Sequence, residues 1–267
     1  MNSPCRNALA IGLASWCLWA GAALLPGGLQ VQASVSLDGA NSIDPSGGAT
    51  QAGTLSLTSS GTTSSSSFTD TPSSISPDLL SGALLATGDG IGIQFSMSGS
   101  FAGAAATTDG LFGDYALLFT NSSATETYTV SLRATTTHAV GATGADAFAF
   151  SDLSILDAAL AELFFTDHRI DTLNAGDPNV NFTAESPSNV FEITLLPGQS
   201  SSLTALQRQR GGVFASGDYS ASLMAFLSID NVRVSGGGGG PNPVPLPGTL
   251  VLLGAGLIAL AAARRRA

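Results

Sequence analysis

The sequence predicts an all-β protein, an antiparallel β-sandwich of jelly-roll-like kind, and three observations predict it. Short segments alternate apolar and polar residues with a period of two, which places one set of side chains on a core and the other in water. Gly, Pro, Asn and Asp punctuate the gaps between them. Charged residues make up only 10% of the chain, whereas Ser, Thr, Gly and Ala are plentiful. That mix suits an extracellular sheet protein whose solvent face is hydroxylated rather than ionic.

The elements follow in chain order. Arg6 supplies a positive start, and Ala8–Leu25 is an apolar segment rich in Ala and Leu. Val31-Gln32-Ala33 then offers small residues where a signal peptidase inspects the chain. Residues 1–33 therefore predict a signal peptide with cleavage after Ala33. The alternative is a true N-terminal membrane anchor, opposed by the helix-breaking Pro26-Gly27-Gly28. Both cysteines, Cys5 and Cys17, lie in this segment, so the body has no thiol chemistry.

The span 34–235, about 200 residues, is long enough for one domain with its own core. Strands are expected at Thr54–Thr58, Ile91–Met97, Thr127–Leu132, Ala147–Phe150, Val190–Leu195 and Tyr219–Ile229, among eight to ten in all. Turns are expected at Asp109-Gly110, Gly113-Asp114, Asn174–Pro178 and Leu196–Gln199, and Gly88–Gly92 reads as a turn entering a strand. Residues 58–76, dominated by Ser and Thr, predict a surface loop; an edge strand with a polar loop is the alternative.

Asp152–Phe165 is ambiguous. Ile155, Leu156, Ala159, Leu160 and Leu163 have helical spacing, and Ser154 could cap a helix. The rival is a hairpin, Leu153–Leu156 and Glu162–Thr166 joined across Asp157-Ala158-Ala159. The all-β surroundings and Phe164-Phe165-Thr166 favour the hairpin.

The C-terminus has three parts. Residues 236–243 form a Gly/Pro linker, since five consecutive glycines cannot hold a fixed conformation cheaply. Val244-Pro245-Leu246-Pro247 follows, then an apolar run from Gly248 to Ala263 and the cluster Arg264-Arg265-Arg266. As a helix, 248–263 would span roughly 24 Å, a little under the ~30 Å hydrocarbon core. The arginines would stay on the cytoplasmic side, leaving the body across the inner membrane.

This order of proline box, apolar helix and basic end over residues 244–267 resembles the PEP-CTERM sorting signal of exopolysaccharide-producing Gram-negative bacteria. The family's box is usually Val-Pro-Glu-Pro; here Leu246 stands where the glutamate lies. The resemblance implies recognition and removal of the tail by an exosortase, a membrane cysteine transpeptidase. It implies a protein exported through the inner membrane, held there transiently, and then released or attached at the cell surface. The run Gln207–Phe214 with Gly217–Ala221 is also similar to the β-rich bodies of this group and implies no activity.

The net charge is −10, and the chain contains no lysine. Such a body repels phosphate backbones, which argues against nucleic-acid binding. No Gly-x-Ser-x-Gly elbow, His-Glu-x-x-His or Walker loop occurs. His138 or His168 beside a serine would be the only basis for a hydrolase. No cofactor is expected. Asp167, Asp171 and Asp177, or Asp38, Asn41 and Asp44, supply oxygen ligands of the kind Ca²⁺ takes, and solvated turns are the other reading. Asn121 and Asn181 stand in N-glycan acceptor patterns that are read as accidental.

Two functional classes follow. One is a non-enzymatic surface or matrix protein associated with extracellular polysaccharide or biofilm. The other is a carbohydrate-binding or adhesive module. Trp16 and Trp19 fall in the leader, which leaves Tyr115, Tyr128 and Tyr219, all in or beside strands, and weakens the second class.

Overall fold

The computed structural model describes residues 22–69, 79–186 and 188–236. Thirteen strands occur among them: β1 Leu29–Leu37, β2 Thr50–Ser59, β3 Thr62–Thr69, β4 Leu80–Leu84, β5 Gly90–Ser100, β6 Ala106–Asn121 and β7 Thr127–Ala142. Then come β8 Ala147–Asp157, β9 Glu162–Asp171, β10 Phe182–Glu185, β11 Val190–Leu195, β12 Ser200–Val213 and β13 Asp218–Ser235. All pairings between them are antiparallel, in a seven-stranded sheet ordered β10-β9-β8-β12-β6-β1-β4 and a six-stranded sheet ordered β11-β7-β13-β5-β2-β3. The fold is the all-β sandwich that the alternation predicts.

The core lies between the sheets and is built by that period of two. In the seven-stranded sheet, Leu29, Val31, Ala33, Val35 and Leu37 of β1 are buried, as are Tyr115, Leu117 and Phe119 of β6. Facing them are Ile91, Ile93, Phe95 and Met97 of β5, with Tyr219, Leu223, Leu227 and Ile229 of β13. All six strands expected from alternation lie within observed strands.

Of the strands beyond those six, β1 alternates as strictly as the expected ones, whereas others carry little apolar alternation. β3 is one of the latter: over Thr62–Thr69 it corrects the expected loop to the alternative edge strand, while residues 70–76 lie outside the described residues. The chain reverses at Ser60-Gly61, both with positive φ (49° and 74°), and continues as strand to Thr69. Two central residues with positive φ make a turn whose twist matches a hairpin. Beside the backbone ladder, hydroxyls pair across the two strands, Thr58 with Thr63 at 2.9 Å and Thr54 with Ser67 at 2.9 Å, and only Phe68 of β3 enters the core.

A second correction concerns the N-terminal boundary. The sandwich begins before Ser34, because β1 starts at Leu29 and pairs along its length with β6. A third concerns Asp109-Gly110 and Gly113-Asp114, which are not turns but interior residues of β6. Their glycines serve close approach. A Cβ on Gly113 would lie 2.5 Å from Ile93 Cδ1 and 2.8 Å from Phe95 Cζ.

The ambiguous stretch is a hairpin of β8 and β9. Leu153, Ile155 and Phe164 all enter the core, which a helix at this position would not allow. The Asp157 carboxylate accepts the Ala159 and Ala161 amides at 2.8 Å, fixing the turn, and Leu160 points to solvent with φ 63°.

Candidate functional site

His138 extends from β7 across the sandwich to β8 and β9. Its Nδ1 lies 2.7 Å from Ser151 Oγ and its Nε2 lies 3.0 Å from Thr166 Oγ1. A neutral ring donates through one nitrogen and accepts through the other, so both hydroxyls gain a partner. His168 stacks on it, with ring centres 4.0 Å apart and planes within 5°. Burial lowers the His138 pKa to about 4; His168 adds to the fall and Asp167 opposes it. Burial also lowers His168, against Glu185 and Asp167.

The two histidines, distant in sequence, are therefore brought together, and a serine does sit beside one of them. Ser151, however, is fully buried, and the second nitrogen of His138 bonds Thr166 rather than a carboxylate. A nucleophile needs access to substrate and a base oriented by a third group. This trio offers no access, its orienting group is a hydroxyl, and it joins the two sheets.

The carboxylate clusters hold turns. Asp171 accepts the Leu173 amide and the Asn174 side chain; Asp177 accepts the Asn179 amide; Asp38 accepts the Ala40 and Asn41 amides. Asp167 pairs with Arg169 at 3.0 Å. Among the described residues no group of three or more His, Cys, Asp or Glu is placed to hold a metal ion. Of the two glycan acceptor patterns, Asn121 is buried and gives its amide to the Glu126, Leu195 and Leu196 carbonyls.

One surface was not legible from alternation alone. In β8 the small residues Ala147 and Ala149 are buried, so Phe148 and Phe150 stand on the outer face, half-buried. Phe148 stacks with Phe214 at 6.2 Å, and Phe214 is 45% exposed. Arg169 lies over Phe150 and Phe182 at 5.1 and 5.4 Å, and Arg210 lies over Phe150 at 6.0 Å. Arg133, Arg169, Arg208 and Arg233 form ion pairs; Arg210 is exposed and forms none among the described residues. The signal that locates this face is the phase of Leu153 and Ile155, which point inward and carry Ala149 and Ala147 with them two residues at a time. All three tyrosines, by contrast, are core residues.

The terminal signals fall differently. Ala33 is buried in the middle of β1, paired with Gly82 of β4 and Leu117 of β6. A cut after it would divide that strand. Val244, Pro245, Leu246, Pro247, the helix expected at 248–263 and Arg264, Arg265 and Arg266 lie outside the described residues, as do 1–21. Among the described residues no helix is long and apolar enough to cross a membrane.

Comparison with known proteins adds one assignment. No curated protein matches the chain. A solved structure, the VP2 subviral particle of infectious bursal disease virus, is 11% identical over 88% of this chain and 73% of that one. Its TM-score of 0.14 carries no argument about fold or function. A family model described as the PEP-CTERM protein-sorting motif matches residues 243–266, the proline box, apolar run and arginine cluster together. The chain thus carries a PEP-CTERM protein-sorting signal, which marks it for export, transient membrane anchoring and processing by an exosortase.

Proposed function

We propose that the body is a non-enzymatic cell-surface or extracellular-matrix protein that associates with extracellular polysaccharide once its sorting tail is removed. The sorting motif at 243–266 is the observation that carries this reading. The body supports it in two ways. Its Ser–His contact is turned into the core, and its outer surface is rich in hydroxyls, as in Thr62–Ser67 of the β3 edge. Expressing the chain in a polysaccharide-producing host and extracting the washed matrix tests it. Recovery of the body with the polysaccharide fraction is expected; a body found wholly free in the medium contradicts the matrix association.

A second reading, a carbohydrate-binding or adhesive module, is favoured by the Phe148, Phe150 and Phe214 face. Aromatic faces stack on sugar rings, and an arginine without an ion pair beside them suits a carboxylate-bearing glycan. Titrating the purified protein with acidic and neutral polysaccharides separates the readings. Saturable binding that F148A and R210A each weaken at least tenfold supports the module, and absence of saturable binding removes it.

A further inference from the structure

We infer that the leader is cut after Ala22, so that the exported protein begins at Ala23. The inference rests on the export reading, and it assigns a processing site that the tail does not determine. The small-residue pattern at Val31-Gln32-Ala33 satisfies a signal peptidase in sequence but not in structure. β1 pairs with β6 from Leu29 to Leu37 and with β4 from Val31 to Val35, so both its edges are occupied. Cleavage after Ala33 would discard Leu29, Val31 and Ala33, all buried in the core, and leave only Ser34–Leu37 of an interior strand.

The tie to the sandwich starts further upstream still. The Leu25 amide donates to the Leu85 carbonyl at 2.8 Å, and Leu24 bridges Ala86. The Ala23 carbonyl accepts the Thr87 amide at 2.9 Å, while the Ala23 nitrogen donates to Thr87 Oγ1 at 2.9 Å. A free amino group at Ala23 can keep that last bond. Every residue from Ala23 to Leu25 therefore belongs to the folded body.

Immediately before this point stands Ala20-Gly21-Ala22, with alanine at the first and third positions before the cut. That is the Ala-x-Ala form of a cleavage site. The apolar segment then runs from Ala8 to Trp19, inside the ~7–15 residues of a signal-peptide core; Ala8–Leu25 exceeds it. The two criteria, chemical pattern upstream and folded chain downstream, meet at the Ala22–Ala23 bond.

The test uses the full chain, expressed in a Gram-negative host. N-terminal peptides of the exported protein are identified by mass spectrometry, and external protease reports independently whether the body has crossed the inner membrane. A body beginning at Ala23 is expected. A body outside the membrane that begins at Ser34 overturns the site but leaves export standing, whereas a protected chain retaining Met1 overturns both. In the A22L variant, the bulky side chain should block the cut or move it to a neighbouring small residue. Unchanged processing of A22L contradicts the assignment.

Discussion

His138 Nδ1 and Ser151 Oγ meet at 2.7 Å, joining a strand of one sheet to a strand of the other. The contact matters because Ser151 and Thr166, the two hydroxyls that His138 serves, are both buried. It also ties the sandwich to pH. The folded His138 has a pKa of about 4 against an ordinary 6.5, so between those values the unfolded chain binds the proton more readily. Stability then rises with pH across that window, is fully present above about 6.5, and is lost as pH falls toward 4. His168 is lowered too and works in the same direction.

Urea melts at several pH values between 4 and 7 check this. H138Q retains a donor and an acceptor without a titrating group, so its stability should fall less steeply over the window than that of the parent. An identical slope in the two proteins would show that His138 does not carry the dependence.

Gln207 and Gln209 make comparable crossings, each donating to a carbonyl of the other sheet. Gln207 accepts the Tyr115 hydroxyl at 2.8 Å and donates to the Leu223 carbonyl of the opposite sheet at 3.1 Å. Q207L removes the side-chain donor of that carbonyl and the acceptor of the buried Tyr115 hydroxyl. A loss of about 1–3 kcal/mol is expected from the stranded polar groups, read as a lower urea midpoint with unchanged m-value. A smaller loss in Q207L/Y115F than the sum of the single variants would mark the pair as one unit.

The glycines of β6 should differ sharply. G113A drives a methyl against Ile93 and Phe95, both buried, and should cost about 1–3 kcal/mol by overpacking. At Gly110 the nearest atom is Phe112 Cε2, 2.5 Å away, but that ring is half-buried and can turn aside. G110A should therefore cost less than G113A in the same denaturation series. Equal costs would contradict the packing account of Gly113.

These glycines also show where the sequence misleads. Glycine beside aspartate reads as a turn, yet the same residue is needed wherever two sheets approach closely. Only the identity of the facing residues, Ile93 and Phe95, distinguishes the two uses, and sequence spacing cannot name them. β5 was legible because its apolar residues strictly alternate against a single core, and β13 because its buried residues from Tyr219 to Ile229 keep the same period. β3 was not, because Thr62–Ser67 offers hydroxyls on both faces and is held as strand by cross-strand bonding to β2. In β8 the period was right, but Phe148 and Phe150 face outward and the alanines inward, so the aromatic surface was missed. The histidine cluster was legible as residues and not as a site, since His138 and His168 meet only through the packing of β7 on β9.

The N-terminal boundary has the same origin. Val31-Gln32-Ala33 satisfies a local pattern, while the partners that hold it in β1 come from β4 and β6, as distant in the chain as Phe119 opposite Val31.

Sorting by the tail is the most direct claim to test, and one comparison does so. Intact-mass analysis of the protein from its native host is set beside that from a strain lacking exosortase. Sorting predicts a surface or extracellular species truncated near Pro243–Pro247 in the parent, and a membrane-retained species still ending in Arg264–Ala267 in the mutant. Finding the same full-length C-terminus in both strains would contradict it.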